Sequence, residues 1–284
     1  WSSDVCSSDL PDGLRDDVAG AERDCEDLVA RWHGQGRNSF AVTVRFAATS
    51  TAEQLAMAGA LLQRHPGLYM QTHVAENTDE VAWIAQLFPE ARSYLDVYHR
   101  HGLLNERAVL AHGIWLDEAD RRLLADTGAQ IAFSPTSNLF LGSGLFNWQA
   151  AVDLGHRVTL ASDVGGGTSL AMPRTLAEGY KVQMLRGTRL AAWNLLHAAT
   201  RGAAQALGLE AEMGHLSEGA LADVVVWDWA CGRTAAHRDA VAQGAVPGLP
   251  AQDLHARVFA WLTLADERNV AATFVAGQPK YQRM

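Results

Sequence analysis

The feature that most constrains how this chain can fold is a regular alternation of short apolar segments with amphipathic helical segments. Five strands are predicted before residue 164, at 40–46, 68–72, 108–113, 130–134 and 157–162. Helices are predicted between them, at 51–64, 77–87, 117–127 and 148–154, after a first helix that starts at Pro11. Strands that alternate with helices at this spacing are typical of βα units around a parallel sheet. The sequence therefore predicts an α/β fold.

Polar side chains stand at the ends of three of these predicted strands. They are His73, His112 and Asp163. The carboxyl ends of parallel strands in a (β/α) barrel converge on one face, where catalytic groups lie. Two imidazoles and a carboxylate at that face suit a divalent metal ion. Glu76 follows His73 closely enough to act as an acid or base on a metal-bound water without being a ligand.

Each of these residues also has a simpler interpretation when it is taken alone. A histidine at the end of a strand often only hydrogen-bonds the backbone, and this applies equally to His73 and His112. Asp163 could cap the turn into the glycine-rich loop 165–167, which is the commonest role of an aspartate there. The repetition of polar groups at three strand ends favours the metal site over three separate structural roles.

The amino-acid composition limits the classes of molecule that the chain is expected to bind. The chain has 23 Lys and Arg against 32 Asp and Glu, a net charge of −9, so nucleic acid polymers are disfavoured as partners whereas a single nucleobase is not. Cys6, Cys25 and Cys231 are far apart and form no CxxC motif, which favours a reducing, cytoplasmic location. No apolar run approaches the length of a membrane span, so no membrane association is expected.

Changes in composition and sequence pattern along the chain predict three segments. Residues 1–10 are rich in Ser and Asp and are interpreted as a spurious or disordered leader. Residues 11–213 carry the strand and helix alternation and are predicted to form the barrel. Residues 214–284 contain the predicted strands 221–228 and 269–275 and are expected to be the C-terminal part of a small β domain.

Five sequence motifs, in this order, resemble the guanine-deaminating branch of the amidohydrolase superfamily. They are WHGQGRNSFAVTVRFAATST, QTHVAE, VLAHG, FSPTSN and LASDVGGG. The resemblance runs from about Leu14 to the C-terminus. It implies a distorted (β/α)8 TIM-type barrel, one Zn²⁺ ion with Fe²⁺ as the alternative, and hydrolytic deamination of guanine to xanthine and ammonia. A homodimer is expected for the intact enzyme.

The resemblance also implies roles for individual residues. His73 and His112 correspond to metal ligands from the fifth and sixth barrel strands, and Asp163 corresponds to the ligand from the eighth. Glu76 corresponds to the group that delivers a proton to a purine ring nitrogen.

Two further residues acquire a role only through the resemblance. Arg45 corresponds to the residue that hydrogen-bonds guanine, and Phe46 to its neighbour packed on the base. Without the resemblance, Arg45 would be interpreted as part of a surface salt bridge and Phe46 as a core residue. Ser134 and Asn138 are left with two alternatives, contact with substrate or shaping of the turn after the seventh strand.

The chain departs from the family pattern in one respect. The family carries an HxH pair at the end of its first strand, and no HxH occurs in these 284 residues. Barrel strands one to three also have no counterpart, so the chain is expected to be a C-terminal portion of the enzyme. This predicts weak metal binding and little activity for the isolated polypeptide.

Two alternatives to guanine deamination remain open. The first is another aminohydrolase of the same superfamily, acting on a different purine, a pyrimidine or a triazine. The second is an inactive fragment that serves only in assembly or binding.

Overall fold

The structure is a computed structural model that describes residues 16–245, 247–248 and 250–283. It divides into two compact units. The first contains the described residues through Ala132 together with Ala150–His156, and the second contains Phe133–Gln149 and the described residues from Arg157 onward. The predicted leader 1–10 lies outside the described residues.

The first unit is built on parallel strands. They are β1 (Ala41–Thr43), β2 (Tyr69–Val74), β3 (Ala108–His112) and β4 (Gln130–Phe133), and the last residue of β4 belongs to the second unit. Each strand pairs with the next in chain order, for example Val42 with Met70 and Thr72 with Leu110. Met70, Val74 and Leu110 are fully buried, so the apolar residues of these strands form the core of the unit.

The helices of the first unit begin at residues that the sequence marks as N-caps. They are α1 (Val18–Trp32), α2 (Ala52–Arg64), α3 (Thr78–Leu87), α4 (Tyr94–Arg100) and α5 (Glu118–Thr127). Before α2 the side chains of Thr51 and Gln54 form a reciprocal capping box, and before α3 Asn77 and Glu80 do the same. Ser93 and Asp117 accept the corresponding hydrogen bonds before α4 and α5.

The second unit contains the last strand of the parallel sheet and a separate antiparallel sheet. In β5 (Val158–Leu160) the following residue, Ala161, donates its N–H to Phe133 O at 3.0 Å, and the order of the parallel sheet is β1-β2-β3-β4-β5. The antiparallel sheet has the order β6-β7-β8, with β6 (Val224–Trp227), β7 (Val270–Val275) and β8 (Gln278–Gln282).

Short and long helices complete the second unit. They are α6 (Pro135–Phe140), α8 (Met172–Leu185), α9 (Ala192–Ala199), α10 (Arg201–Ala206), α11 (Arg233–Ala242) and α12 (Leu254–Leu264). Helix α7 (Trp148–Asp153) starts in the second unit's part of the chain and continues in the first unit's part. No helix among the described residues is long and apolar enough to cross a membrane.

The α/β prediction is confirmed. Five parallel strands with intervening helices and a small antiparallel sheet are the arrangement expected of an incomplete TIM-type barrel with part of a small β domain.

Several predicted elements differ in detail. The strand predicted at 40–46 has only three residues, because the chain after Thr43 leaves the ladder and forms a 3-10 turn at Ala47–Thr49. Helices α4 and α6 were not predicted, and Pro135 begins a helix as well as ending a strand. The tail after residue 214 contains helices α11 and α12 between its strands.

Candidate active site

His73 is the last residue but one of β2, so it lies within the strand and not just after it as predicted. Its backbone N–H donates to Arg45 O at 3.1 Å, and its ring Nδ1 lies 2.6 Å from the same oxygen. Because a carbonyl oxygen only accepts, Nδ1 donates this hydrogen bond, and Nε2 is the ring nitrogen that could ligate a metal ion. Metal-ligating histidines are commonly oriented by such a hydrogen bond from the second ring nitrogen to a backbone carbonyl.

His112 and Glu76 are brought together by the turns that follow β2 and β3. Ala75 has a left-handed φ of 48°, and its carbonyl accepts from the N–H groups of Ile114 and Trp115 at 3.1 and 3.0 Å. His112 is only 1% exposed, and its Nε2 lies 3.5 Å from Glu76 Oε2. The ring centroids of His73 and His112 are 5.7 Å apart. The two imidazoles and the carboxylate therefore form one cluster.

Arg45 and Phe46 lie beside this cluster on the segment that follows β1. The guanidinium carbon of Arg45 is 5.3 Å from the centroid of the Phe46 ring, within cation–π distance. The Phe46 ring meets His73 edge-on at 6.5 Å and Trp83 at 6.1 Å. Arg45 is exposed and Phe46 is half-buried. An exposed cation next to an aromatic wall is suited to hold a flat heteroaromatic ring that carries a carbonyl oxygen.

Glu80 is a buried carboxylate under the turn that carries Glu76. One of its oxygens accepts from the backbone N–H of Glu76 at 2.8 Å, and the other accepts from the Tyr94 hydroxyl at 2.8 Å. Burial raises the pKa of Glu80 above its ordinary value, against the opposing effect of these hydrogen bonds. The sequence analysis missed this residue, although the spacing of Asn77 and Glu80 is that of a capping box.

Tyr98 is a second buried polar residue that the sequence analysis missed. Its hydroxyl donates to His73 O at 2.7 Å and accepts from the Ala47 N–H at 2.9 Å. The Thr72 hydroxyl lies 3.0 Å from it. Burial raises the pKa of Tyr98 above its ordinary value, so the hydroxyl keeps its proton at neutral pH.

Asp163 lies in the second unit, three residues beyond β5. Its φ is 48°, a left-handed conformation that aspartate tolerates better than most residues. Its carbonyl accepts a hydrogen bond from the Gly167 N–H, so the chain closes a tight loop at this point. A Cβ on Gly166 would lie 3.3 Å from Asp163 Oδ2, which places the carboxylate against this glycine. Because Gly166 has no side chain, there is room for the Asp163 carboxylate at this position.

Ser134 and Asn138 are buried in the second unit, 0% and 1% exposed. Between them, the hydroxyl of Ser137 is also fully buried and has no hydrogen-bond partner among the described residues. A Cβ on Gly166 would come within 2.6 Å of the Ser137 hydroxyl oxygen. The motif FSPTSN therefore supplies buried polar groups next to the loop that follows Asp163.

The structure thus assembles five of the six predicted site residues within the first unit, namely Arg45, Phe46, His73, Glu76 and His112. Asp163 belongs to the second unit. The orientation of His73 and its nearness to His112 fit two ligands of a metal ion. Within residues 16–245, 247–248 and 250–283, no three His, Cys, Asp or Glu side chains are grouped closely enough to hold an ion.

Comparison with known proteins shows the family to which the chain belongs. A model of the amidohydrolase family matches residues 5–280, and the chain belongs to this family. The guanine deaminase of Escherichia coli (strain K12) is 40% identical over 281 residues, 96% of this chain and 60% of that protein.

Solved structures give the same result. The E. coli guanine deaminase structure has a TM-score of 0.91 at 39% identity, over 96% of this chain and 62% of that chain. The guanine deaminase of Bradyrhizobium japonicum has a TM-score of 0.90 at 29% identity, over 96% of this chain and 64% of that chain. The chain therefore spans less than two thirds of the length of these similar proteins.

Proposed function

We propose that the protein to which this chain belongs hydrolyses guanine to xanthine and ammonia. The observation that carries the proposal is the cluster in which the Arg45 and Phe46 pair lies beside His73, in a chain 40% identical to a guanine deaminase. The overall reaction adds water at C2 of the purine and releases the exocyclic amino group as ammonia. Within the cluster, one group of side chains would bind the base and another would transfer protons.

Arg45 and Phe46 would bind and orient the base. A guanidinium that donates to the purine carbonyl oxygen makes a charge-assisted hydrogen bond and fixes the ring's rotation. Phe46, held edge-on by His73 and Trp83, offers an apolar surface to the ring.

Glu76 would deliver a proton to the purine ring nitrogen as electrons move from C2 into the ring. Its position is set from two sides, because its N–H is held by Glu80 and its carboxylate lies 3.5 Å from His112. Asp163 would accept the proton of the attacking water. Asp163 would pass that proton to the exocyclic amino group, which leaves as ammonia, and the remaining hydroxyl proton would return to Glu76 as the C2 carbonyl forms.

In the full-length protein, His73, His112 and Asp163 would supply part of the ligand set of a metal ion, Zn²⁺ in our proposal with Fe²⁺ as the alternative. A divalent ion of this kind supplies a water whose pKa is lowered towards about 7. The Nδ1 hydrogen bond from His73 to Arg45 O links metal binding to the base-binding segment through one carbonyl oxygen.

The other expectations from the sequence stay proposals. They are the division into residues 1–10, 11–213 and 214–284, a cytoplasmic location, a homodimeric intact enzyme, and little activity of the 284-residue chain by itself. Stoichiometric tight zinc binding and rapid guanine turnover by that isolated chain would contradict the last of them.

The proposed function is tested with the full-length protein, meaning the product of the complete open reading frame that encodes this chain. The zinc-loaded protein is assayed with guanine, adenine, cytosine and 8-oxoguanine, and ammonia release is measured. We expect guanine to be the preferred substrate. Preference for another base would support the alternative aminohydrolase, and turnover of none of the four bases would contradict the proposal.

A further inference from the structure

The Tyr98 hydroxyl connects two chain segments that carry candidate site residues. Tyr98 lies on α4 and is fully buried. Its oxygen accepts from the Ala47 N–H at 2.9 Å and from the Thr72 hydroxyl at 3.0 Å, and it donates to His73 O at 2.7 Å. A phenol has one hydrogen and two lone pairs, so these three bonds use its full capacity.

The two segments depend on Tyr98 to different extents. Strand β2 is held by its ladder to β3, in which His73 pairs with Ala111. The segment after β1 has left its own ladder at Thr43. Beyond Thr43, Arg45 O is held by His73 and the Ala47 N–H is held by Tyr98.

We propose that Tyr98 is a positioning residue for the substrate base, which acts by fixing the path of the Arg45–Phe46 segment from its C-terminal side. This inference rests on the proposed function, because it concerns how the base is held. Arg45 and Phe46 lie between two anchors, Arg45 O on His73 and the Ala47 N–H on Tyr98. Loss of the second anchor frees the end of the segment that carries the Phe46 ring.

The competing interpretation is that Tyr98 is only a core residue. Such a residue would contribute to stability and have no selective effect on substrate binding. Tyr94 is the matched control, since it lies one turn earlier on α4, is also buried, and has its ring 5.6 Å from that of Tyr98. Its hydroxyl donates to Glu80 and not to the segment after β1.

The experiment compares Tyr98→Phe with Tyr94→Phe in the full-length, metal-loaded protein. Steady-state kinetics with guanine and urea unfolding are measured for both. We expect Tyr98→Phe to raise KM about ten-fold, because one hydrogen bond that positions the base-binding segment is lost. We expect kcat to stay within about three-fold of the wild-type value. Tyr94→Phe is expected to leave KM within about two-fold. Equal KM changes, or a loss of stability in Tyr98→Phe without a KM change, would overturn the inference.

A second variant tests the same hydrogen bond from its other end. Ala47→Pro removes the N–H that Tyr98 accepts, and proline suits the first position of a turn after the extended Phe46. We expect it to raise KM as Tyr98→Phe does, and the double variant to be no worse than either single one. Independent, additive effects would contradict a shared anchor. If Tyr98→Phe does not fold, the KM of Ala47→Pro alone tests the inference.

Failure of the proposed function gives a different result. In that case the wild-type protein itself does not deaminate guanine. If the wild type is active and Tyr98→Phe keeps a normal KM, the proposed function stands and only the role of Tyr98 is rejected.

Discussion

The chain after β2 in the first unit and the chain after β5 in the second each present a candidate site residue, but they are held in different ways. Around His73 and Glu76 the backbone is held by buried side chains, the Glu80 carboxylate and the Tyr98 hydroxyl. Around Asp163 the loop is closed by backbone groups and depends on glycines that leave room for them. The first arrangement can therefore be altered one hydrogen bond at a time, whereas in the second an added Cβ at Gly166 or Gly167 meets a neighbouring atom.

Two buried carboxylates show the same contrast in electrostatic terms. Glu80 in the first unit receives hydrogen bonds from Tyr94 and backbone N–H groups, and burial raises its pKa. Asp266 in the second unit is 2% exposed and pairs with Arg268 and Arg174, and its hydrogen bond with Arg268 lowers its pKa to about 2. Burial without a cation therefore disfavours the charge, and burial with two guanidinium groups favours it.

The largest expected effect tests whether proton transfer belongs to the first unit's cluster. Glu76→Gln keeps the size of the side chain and removes its acid–base function, so we expect kcat for guanine to fall about 1,000-fold with little change in KM. The control is Glu53→Gln, an exposed carboxylate in the first turn of α2. Wild-type kcat in the Glu76 variant would remove this residue from the mechanism.

The next prediction concerns the glycine-dependent loop of the second unit. A Cβ at Gly167 would overlap the Ser162 carbonyl oxygen and lie 2.9 Å from Asp163 O, both backbone atoms that cannot move aside cheaply. We expect Gly167→Ala to lower the free energy of unfolding by about 3 kcal/mol.

The matched control for that substitution is Gly165→Ala in the same loop. Gly165 has a φ of 128° and open space around its Cβ position, so only conformational strain is added, about 1 kcal/mol. Urea unfolding measures both variants. Equal losses would mean that the close approach to Ser162 and Asp163 is not what restricts the loop.

Asp266 predicts an acid-dependent contribution to stability. Its pKa is about 2 in the folded protein against an ordinary 3.8, so the contribution is present above pH 3.8 and is lost as the pH falls towards 2. We expect the wild type to lose roughly 2 kcal/mol of this stabilisation over that window and Asp266→Asn to lose none of it. Parallel stability curves of the two proteins between pH 2 and 4 would contradict the prediction.

Glu80 predicts the opposite sign and the smallest effect. Its folded pKa is raised above 4.5, so its stabilisation is present below pH 4.5 and is lost as the pH rises through the folded value. We expect the free energy of unfolding of Glu80→Gln to rise relative to that of the wild type as the pH goes from 4 to neutral, measured by urea unfolding. A constant difference across this range would show that burial does not perturb Glu80.

Much of the fold could be predicted because local patterns and tertiary packing agree. The capping boxes before α2 and α3 and the apolar alternation of β2 and β3 specify the same elements that the core requires. Helix α4 was not predicted although Ser93 caps it, since the helix has only seven residues and gives a weak periodic signal. The strand at 40–46 was predicted too long because β-branched residues favour a strand whether or not a partner is present.

The sequence by itself predicted the imidazole and carboxylate groups of the candidate site, because these groups repeated at strand ends have few other uses in combination. It also determined the alternation that makes the sheet parallel. Only the tertiary structure decided that the His73 ring hydrogen-bonds the carbonyl oxygen of Arg45, and that Tyr98 and Glu80 lie beneath the cluster. These contacts join residues 25 or more positions apart, or depend on a buried turn, and no local pattern records which distant groups a buried hydroxyl will meet.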